Sequence, residues 1–135
     1  MKIAEKKLSK EAIDLIEAPN FAHIATINKN GSIQITPVWI DHEGDKYVLV
    51  NTTFGRAKTR NLEKNPEVGL SLVDQKNPYH GVSISGKVVE VTATGADEHI
   101  DKMANKYLGK EKYPWKSPEE KRALVKIAPR WIYVH

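Results

Sequence analysis

Residues 21–41 read FAHIATINKNGSIQITPVWID. Two strand-like runs, FAHIATI and SIQITPVWID, flank Asn28-Lys29-Asn30-Gly31. Asn-Gly between such runs is the strongest short hairpin signal, because both residues tolerate the positive φ that a tight reversal needs. The stretch predicts paired strands over 21–27 and 32–41, with Ile33, Ile35, Pro37 and Trp39 on one face of the second. Pro37 cannot donate to a ladder, so its strand belongs at an edge or a bulge.

Working outward, His42–Asp45 is a second turn and KYVLVN (46–51) a third strand, which makes a three-strand meander. Upstream, Lys7–Glu17 spaces Leu8, Ala12, Leu15 and Ile16 as a helix does, with Ser9 available as its cap and Pro19 as its stop. Downstream, a short helix is expected over Arg56–Lys64, strands over 67–74 and 81–94, and a polar loop over Gln75–His80. Gly86 marks a bend or bulge in the second of these strands. A helix follows over Ala96–Tyr107, then a polar loop over 108–121 and closing strands over 122–128 and 130–134. Six or seven short strands with few helices suggest an antiparallel barrel closed on itself. A barrel this small leaves little internal space, so a ligand of flavin size belongs on its outside, in a groove shared with a second subunit.

The 135 residues suit one domain, 1–135, with the segment 1–18 as an N-terminal helix packed on the barrel. Cysteine is absent, which removes disulfides, thiolate nucleophiles and thiolate metal ligands. His23, His42, His80, His99 and His135 have no short ligand spacing, so no metal site is expected. His23 is expected to be partly buried and satisfied. The N-terminus alternates charge with apolar residues, unlike a secretory signal, and no run approaches a membrane span. A soluble, cytoplasmic protein is the expectation. The net charge of +4 permits nucleic acid and an anionic cofactor alike. The absence of interleaved aromatics or a helix-turn-helix pattern argues against nucleic acid.

The chemistry concentrates in VNTTFGRAKTRNLEKNP (50–66). Helices favour acidic residues in the first turn, yet here the first two turns hold Arg56, Lys58 and Arg60 and no acid. A helix N-terminus is also where phosphates settle. Spacing alone leaves two readings open, an anion cradle and a solvated face partly offset by Glu63. In QITPVWI (34–40) the backbone beside Pro37 can meet a ring's hydrogen-bonding edge, or form a plain edge strand. In NPYHG (77–81), Tyr79 can stack and His80 can donate to phosphate or move a proton, or both sit in a surface turn.

Four blocks taken in order are FAHIATINKNGSIQITPVWI, GRAKTRNLEKNPEVGLSLVD, NPYHGVSISGKVVEVT and HIDKMANKYLGKEKYP. Together they resemble the deazaflavin (coenzyme F420)-dependent oxidoreductases of the pyridoxamine 5′-phosphate oxidase-like superfamily, over residues 8–134. The resemblance implies a mainly β fold with flanking helices, a six- to seven-stranded antiparallel split β-barrel of the FMN-binding-protein type. It implies a homodimer with cofactor sites between the subunits, hydride transfer between F420 and an electron-poor small molecule, and FMN as the alternative cofactor. On the same likeness Gln34, Ile35, Thr36, Pro37 and Val38 line the ring through their backbone. Asn51 and Thr52 contact the ring or ribityl chain, and Arg56, Lys58, Arg60 and Asn61 hold the phosphate. Tyr79 and His80 reach the cofactor, from the partner chain in one arrangement. Lys64, Lys102, Lys106 and Lys110 are candidates for the carboxylates of a deazaflavin tail. The residues single out no catalytic acid; Tyr79, His80 or water can supply the proton.

Overall fold

The 21–41 hairpin forms, but its second strand breaks where the sequence suggested continuity. In the computed structural model, which describes residues 5–135, β1 is Ala22–Ile27 and β2 is Ile33–Val38. They pair antiparallel from Ala22↔Val38 to Ile27↔Ile33. Gly31, at φ 87°, supplies the left-handed residue of the reversal. Beyond Val38 the chain turns at Trp39 and continues as β3, Ile40–Glu43, which pairs with β4, Tyr47–Thr53. The corner is held from outside, where the Ile40 N–H donates to the Tyr107 hydroxyl at 3.1 Å and Trp39 stacks on the Tyr107 ring at 5.1 Å.

The remaining elements are α1 (Lys10–Glu17), α2 (Ala57–Lys64), β5 (Glu67–Asp74), β6 (Asn77–Thr92), α3 (Ala96–Leu108) and β7 (Arg122–Val134). All strand pairs are antiparallel, and the sheet order is β2-β1-β5-β6-β7-β4-β3. The two edge strands, β2 and β3, are joined through the single residue Trp39. The sheet must therefore curl until its edges meet at that corner, as a split barrel. The expected fold class holds, with two corrections. The first three strands are not a meander, because β2 and β3 lie at opposite edges. The barrel is not fully closed by strand pairing. Pro37 stands on an edge strand, where its missing N–H breaks no inner ladder.

Three further boundaries differ. The loop expected over Gln75–His80 shrinks to a turn at Gln75-Lys76, so Tyr79 and His80 belong to β6. The two closing strands are one, with the register shifting where Ser85↔Trp131 is followed by Gly86↔Pro129. Gly86 is required at that bulge, since a Cβ there would come within 2.3 Å of the Ala128 carbonyl oxygen. Helix α1 begins at Lys10 rather than Lys7; the Ser9 hydroxyl accepts the Ala12 N–H at 3.2 Å and fixes the start. Residues 1–4 of the N-terminal segment lie outside the described residues.

The inner faces of the strands bury Ile24, Ile40, Val48, Val50, Leu70, Leu72, Val82, Ile84, Val125 and Ile127. Helix α1 closes this core with Ala12, Leu15 and Ile16 and packs on β3, β5 and β6. His23 alternates to the outer face and is exposed, contrary to the expectation of partial burial. Among the described residues no helix is long and apolar enough to cross a membrane.

Candidate functional site

The oddly basic helix start lies where β4, α2 and β7 come together. Arg56 is the N-cap of α2 and offers no capping side chain, and the first turn holds no acid. The backbone N–H groups there are left without a side-chain acceptor. Lys58, in the first turn, points inward and is only 8% exposed; Thr59 beside it donates to the Thr53 carbonyl at 2.7 Å, tying α2 to the end of β4. Arg122 opens β7 opposite Thr53 and is 9% exposed.

These three cations border one hollow of about 260 Å³. Its other walls are Phe21, Pro37, Val38, Trp39, Tyr113 and Trp115, with Ile100 and Asn51 also lining it. The aromatic wall is continuous. Trp39 meets Tyr113 edge-on at 6.0 Å, Tyr113 meets Trp115 at 5.6 Å, and the Arg122 guanidinium lies 5.2 Å from the Tyr113 ring centre. Asp101 on α3 pins this wall by accepting the Tyr113 N–H at 2.8 Å and the Lys116 ammonium at 3.0 Å.

Among the described residues none of Arg56, Lys58 and Arg122 has a carboxylate within ion-pairing distance. Burial first, and then the Arg56 and Arg122 charges, push the Lys58 ammonium below its ordinary range. Burial likewise lowers the Arg122 guanidinium, with Tyr113 and Glu120 opposing and Arg56 adding to the effect. Buried cations without a directly paired carboxylate are unfavourable unless a partner arrives. Two of them, Lys58 and Arg122, with the exposed Arg56 beside them around one aromatic-walled hollow, suit a ligand with an anionic end and a planar apolar body. The phosphate and ring of a flavin-type cofactor fit that donor set.

The other predicted residues are distributed as follows. Ile35 is exposed on the outer face of β2, while Gln34, Thr36 and Val38 alternate to the inner side. The Thr36 hydroxyl is buried with no hydrogen-bond partner among the described residues. Thr52 is buried beneath α2, its hydroxyl 3.4 Å from that of Thr59. Arg60 and Asn61 do not line the first hollow but a second one, with Lys29 and Lys64. The Asn61 amide donates to the Thr26 hydroxyl and to Asn28, bracing α2 against the hairpin. Tyr79 is 87% exposed, and His80 bonds Glu11 of α1 at 2.8 Å; neither lines the first hollow of its own chain. Lys102 pairs with Asp41 and Lys106 with backbone carbonyls. Sequence reasoning missed Arg122, Phe21, Tyr113 and Trp115. No local pattern marks them, because they reach the hollow from loops and strand ends far apart in the chain.

The pyridoxamine 5′-phosphate oxidase family pattern matches residues 8–135. The chain belongs to that family. No curated protein matches it. Among solved structures, an F420 reductase superposes with a TM-score of 0.80 at 23% identity, covering 93% of this chain and 98% of its own. A putative pyridoxamine 5′-phosphate oxidase from Lactobacillus delbrueckii gives 0.66 at 19% identity, covering 94% and 93%. An FMN-binding protein from Syntrophomonas wolfei gives 0.67 at 16% identity, covering 93% and 84%. At these identities the likeness establishes the shared split-barrel fold of the family.

Proposed function

We propose that the protein is an oxidoreductase that binds coenzyme F420 at this hollow and exchanges a hydride between it and an electron-poor small organic molecule. The observation behind this reading is the trio Arg56, Lys58 and Arg122, which have no carboxylate partner among the described residues and converge beside an aromatic wall. When bound, the cofactor supplies the hydride chemistry. Arg56 and Lys58 hold its phosphate, and the backbone from Gln34 to Val38, an edge strand with free hydrogen-bonding groups, borders its ring. Phe21, Trp39, Tyr113 and Trp115 exclude water from the reacting face. The protein's own contribution is alignment and desolvation.

Two observations favour the deazaflavin. The F420 reductase matches nearly end to end. The second hollow, with Lys29, Arg60 and Lys64 and no carboxylate in its lining, offers further positive charge to a ligand longer than one phosphate. FMN is the second reading, supported by the similarity to an FMN-binding protein and by the sufficiency of one cation trio for one phosphate. Fluorescence titration of the purified protein with F420 and with FMN in low salt separates the two. Affinity for neither sinks both.

The homodimer belongs to the same proposal. On the outer face, two rows run across five strands, Ile35–Ala25–Gly69–Ser85–Trp131 and Pro37–His23–Ser71–Ser83–Tyr133. Small residues form the middle, with the exposed Ile33 and Ile35 at one side and Trp131 and Tyr133 at the other. A sheet face with small residues at its middle and apolar margins suits a second copy. Pairing there would let Tyr79 or His80 of one protomer serve the hollow of the other. Sedimentation should give twice the chain mass, and Trp131→Glu should give monomers; a monomeric wild type excludes the arrangement.

A further inference from the structure

Asn51 lines the hollow, and the family likeness makes it a ring or ribityl contact, but its amide is already spent within the protein. Oδ1 accepts the Arg122 Nε–H at 2.9 Å. Nδ2 donates to the Ala96 carbonyl at 2.8 Å and meets His99 Nδ1 at 3.1 Å. The Ala96 oxygen only accepts and the Arg122 Nε–H only donates, so a single orientation of the amide satisfies both. Nδ2 therefore donates to His99 Nδ1, and the ring proton sits on Nε2, where it is given to Asp41 Oδ2 at 3.0 Å. Asp41 also accepts from Lys102 at 3.0 Å. Burial alone would raise the Asp41 carboxyl, yet the bonds from His99 and Lys102 outweigh it and hold Asp41 ionised, well below the usual carboxylate range.

The chain Asp41–His99–Asn51–Arg122 thus crosses β3, α3, β4 and β7 and ends on a buried guanidinium at the hollow. Arg122 gives Nε to Asn51 and lies against the Tyr113 ring, with its guanidinium lining the hollow. We propose that Arg122 is the third phosphate-binding cation, and that Asn51 is a positioning residue that acts through it rather than on the ligand. Asp41 and His99 hold Asn51 in register. This rests on the reading that the hollow takes a phosphate-bearing flavin-type cofactor.

The test is a double-mutant cycle, with affinity read by fluorescence for FMN, F420 and riboflavin, which lacks the phosphate. Arg122→Gln should weaken FMN or F420 about tenfold or more and leave riboflavin within about twofold, as loss of a charge-assisted contact predicts. Asn51→Ala alone should weaken the phosphate-bearing ligands by about fivefold, and by nothing further in the Arg122→Gln background, because residues acting through one another are non-additive. Asn51→Ser serves the same cycle if Asn51→Ala fails to fold, with thermal melting as the check. A parallel loss of riboflavin in Asn51→Ala, or an undiminished effect of Asn51→Ala on Arg122→Gln, overturns the positioning role. An Arg122→Gln protein that binds FMN and F420 like wild type overturns the third cation. A wild type that binds neither ligand removes the proposed function itself, a result distinct from the other two.

Discussion

Lys58 and Lys106 are both lysines whose ammonium groups burial pushes down, yet they do opposite things. Lys106, brought to about 8, donates to the carbonyls of Ile16 and Ile40, the latter at 2.7 Å, and lies 4.8 Å from the centre of the Tyr107 ring. All its partners belong to the fold: the last turn of α1, the first residue of β3 and its own helix. Lys58 has no such partner among the described residues, and its charged neighbours, Arg56 and Arg122, repel it. A buried charge with its hydrogen bonds met inside the protein is a clamp. A buried charge left unmet beside a hollow is half of a binding site.

The largest effect expected from this contrast is on stability. Lys106→Ala removes two hydrogen bonds from a charged donor and should cost about 3 kcal/mol in urea unfolding, with ligand affinity of the folded protein unchanged. A loss under about 1 kcal/mol would show that Lys106 is no clamp. Next in size, Lys58→Met should weaken FMN or F420 by about 1.5–3 kcal/mol, roughly ten- to a hundredfold, without lowering the stability of the ligand-free protein. If Lys58→Met instead destabilises the fold and spares affinity, the contrast collapses.

The smallest effect is a slope. Both ammonium groups have folded values below the ordinary lysine value of about 10.4. Between folded and unfolded values the unfolded chain binds more protons, so ligand-free stability should rise with pH there. For Lys106 that window opens at about 8. Lys58→Met and Lys106→Met should each flatten the rise in pH-dependent unfolding. A bound phosphate should remove only the part due to Lys58, since it restores a partner to that charge alone. A slope that ignores both substitutions would place its origin elsewhere.

The same division runs through what the chain discloses. The hairpin at Asn28–Gly31, the cap at Ser9, the bulge at Gly86 and the helix over Ala96–Leu108 follow from local rules, since each depends on residues within a few positions. Trp39 does not. Ile33, Ile35, Pro37 and Trp39 alternate as one strand, and the break is held by Tyr107, whose hydroxyl accepts the N–H of Ile40 from 67 residues further along the chain. Tyr79 and His80 read as loop because Pro78 and polar neighbours punctuate the sequence, while pairing with β5 extends β6 back through Asn77. In the site, Arg56 and Lys58 are legible because a basic first turn is locally unfavourable. Asn51 is legible by family likeness alone, and that likeness hides how its amide is used.

The sequence by itself determined an antiparallel barrel, which the family likeness made a split one, and an anomalous cluster of positive charge at the start of α2. Alternation, turn chemistry and helix-end electrostatics are local quantities, so a linear chain can display them. Only the tertiary structure decided that Arg122 joins Arg56 and Lys58, that Lys106 does not, and that Asn51 is committed to Arg122. Whether a buried charge is met or unmet depends on which distant groups the fold brings within hydrogen-bond distance, and no spacing along the chain records that.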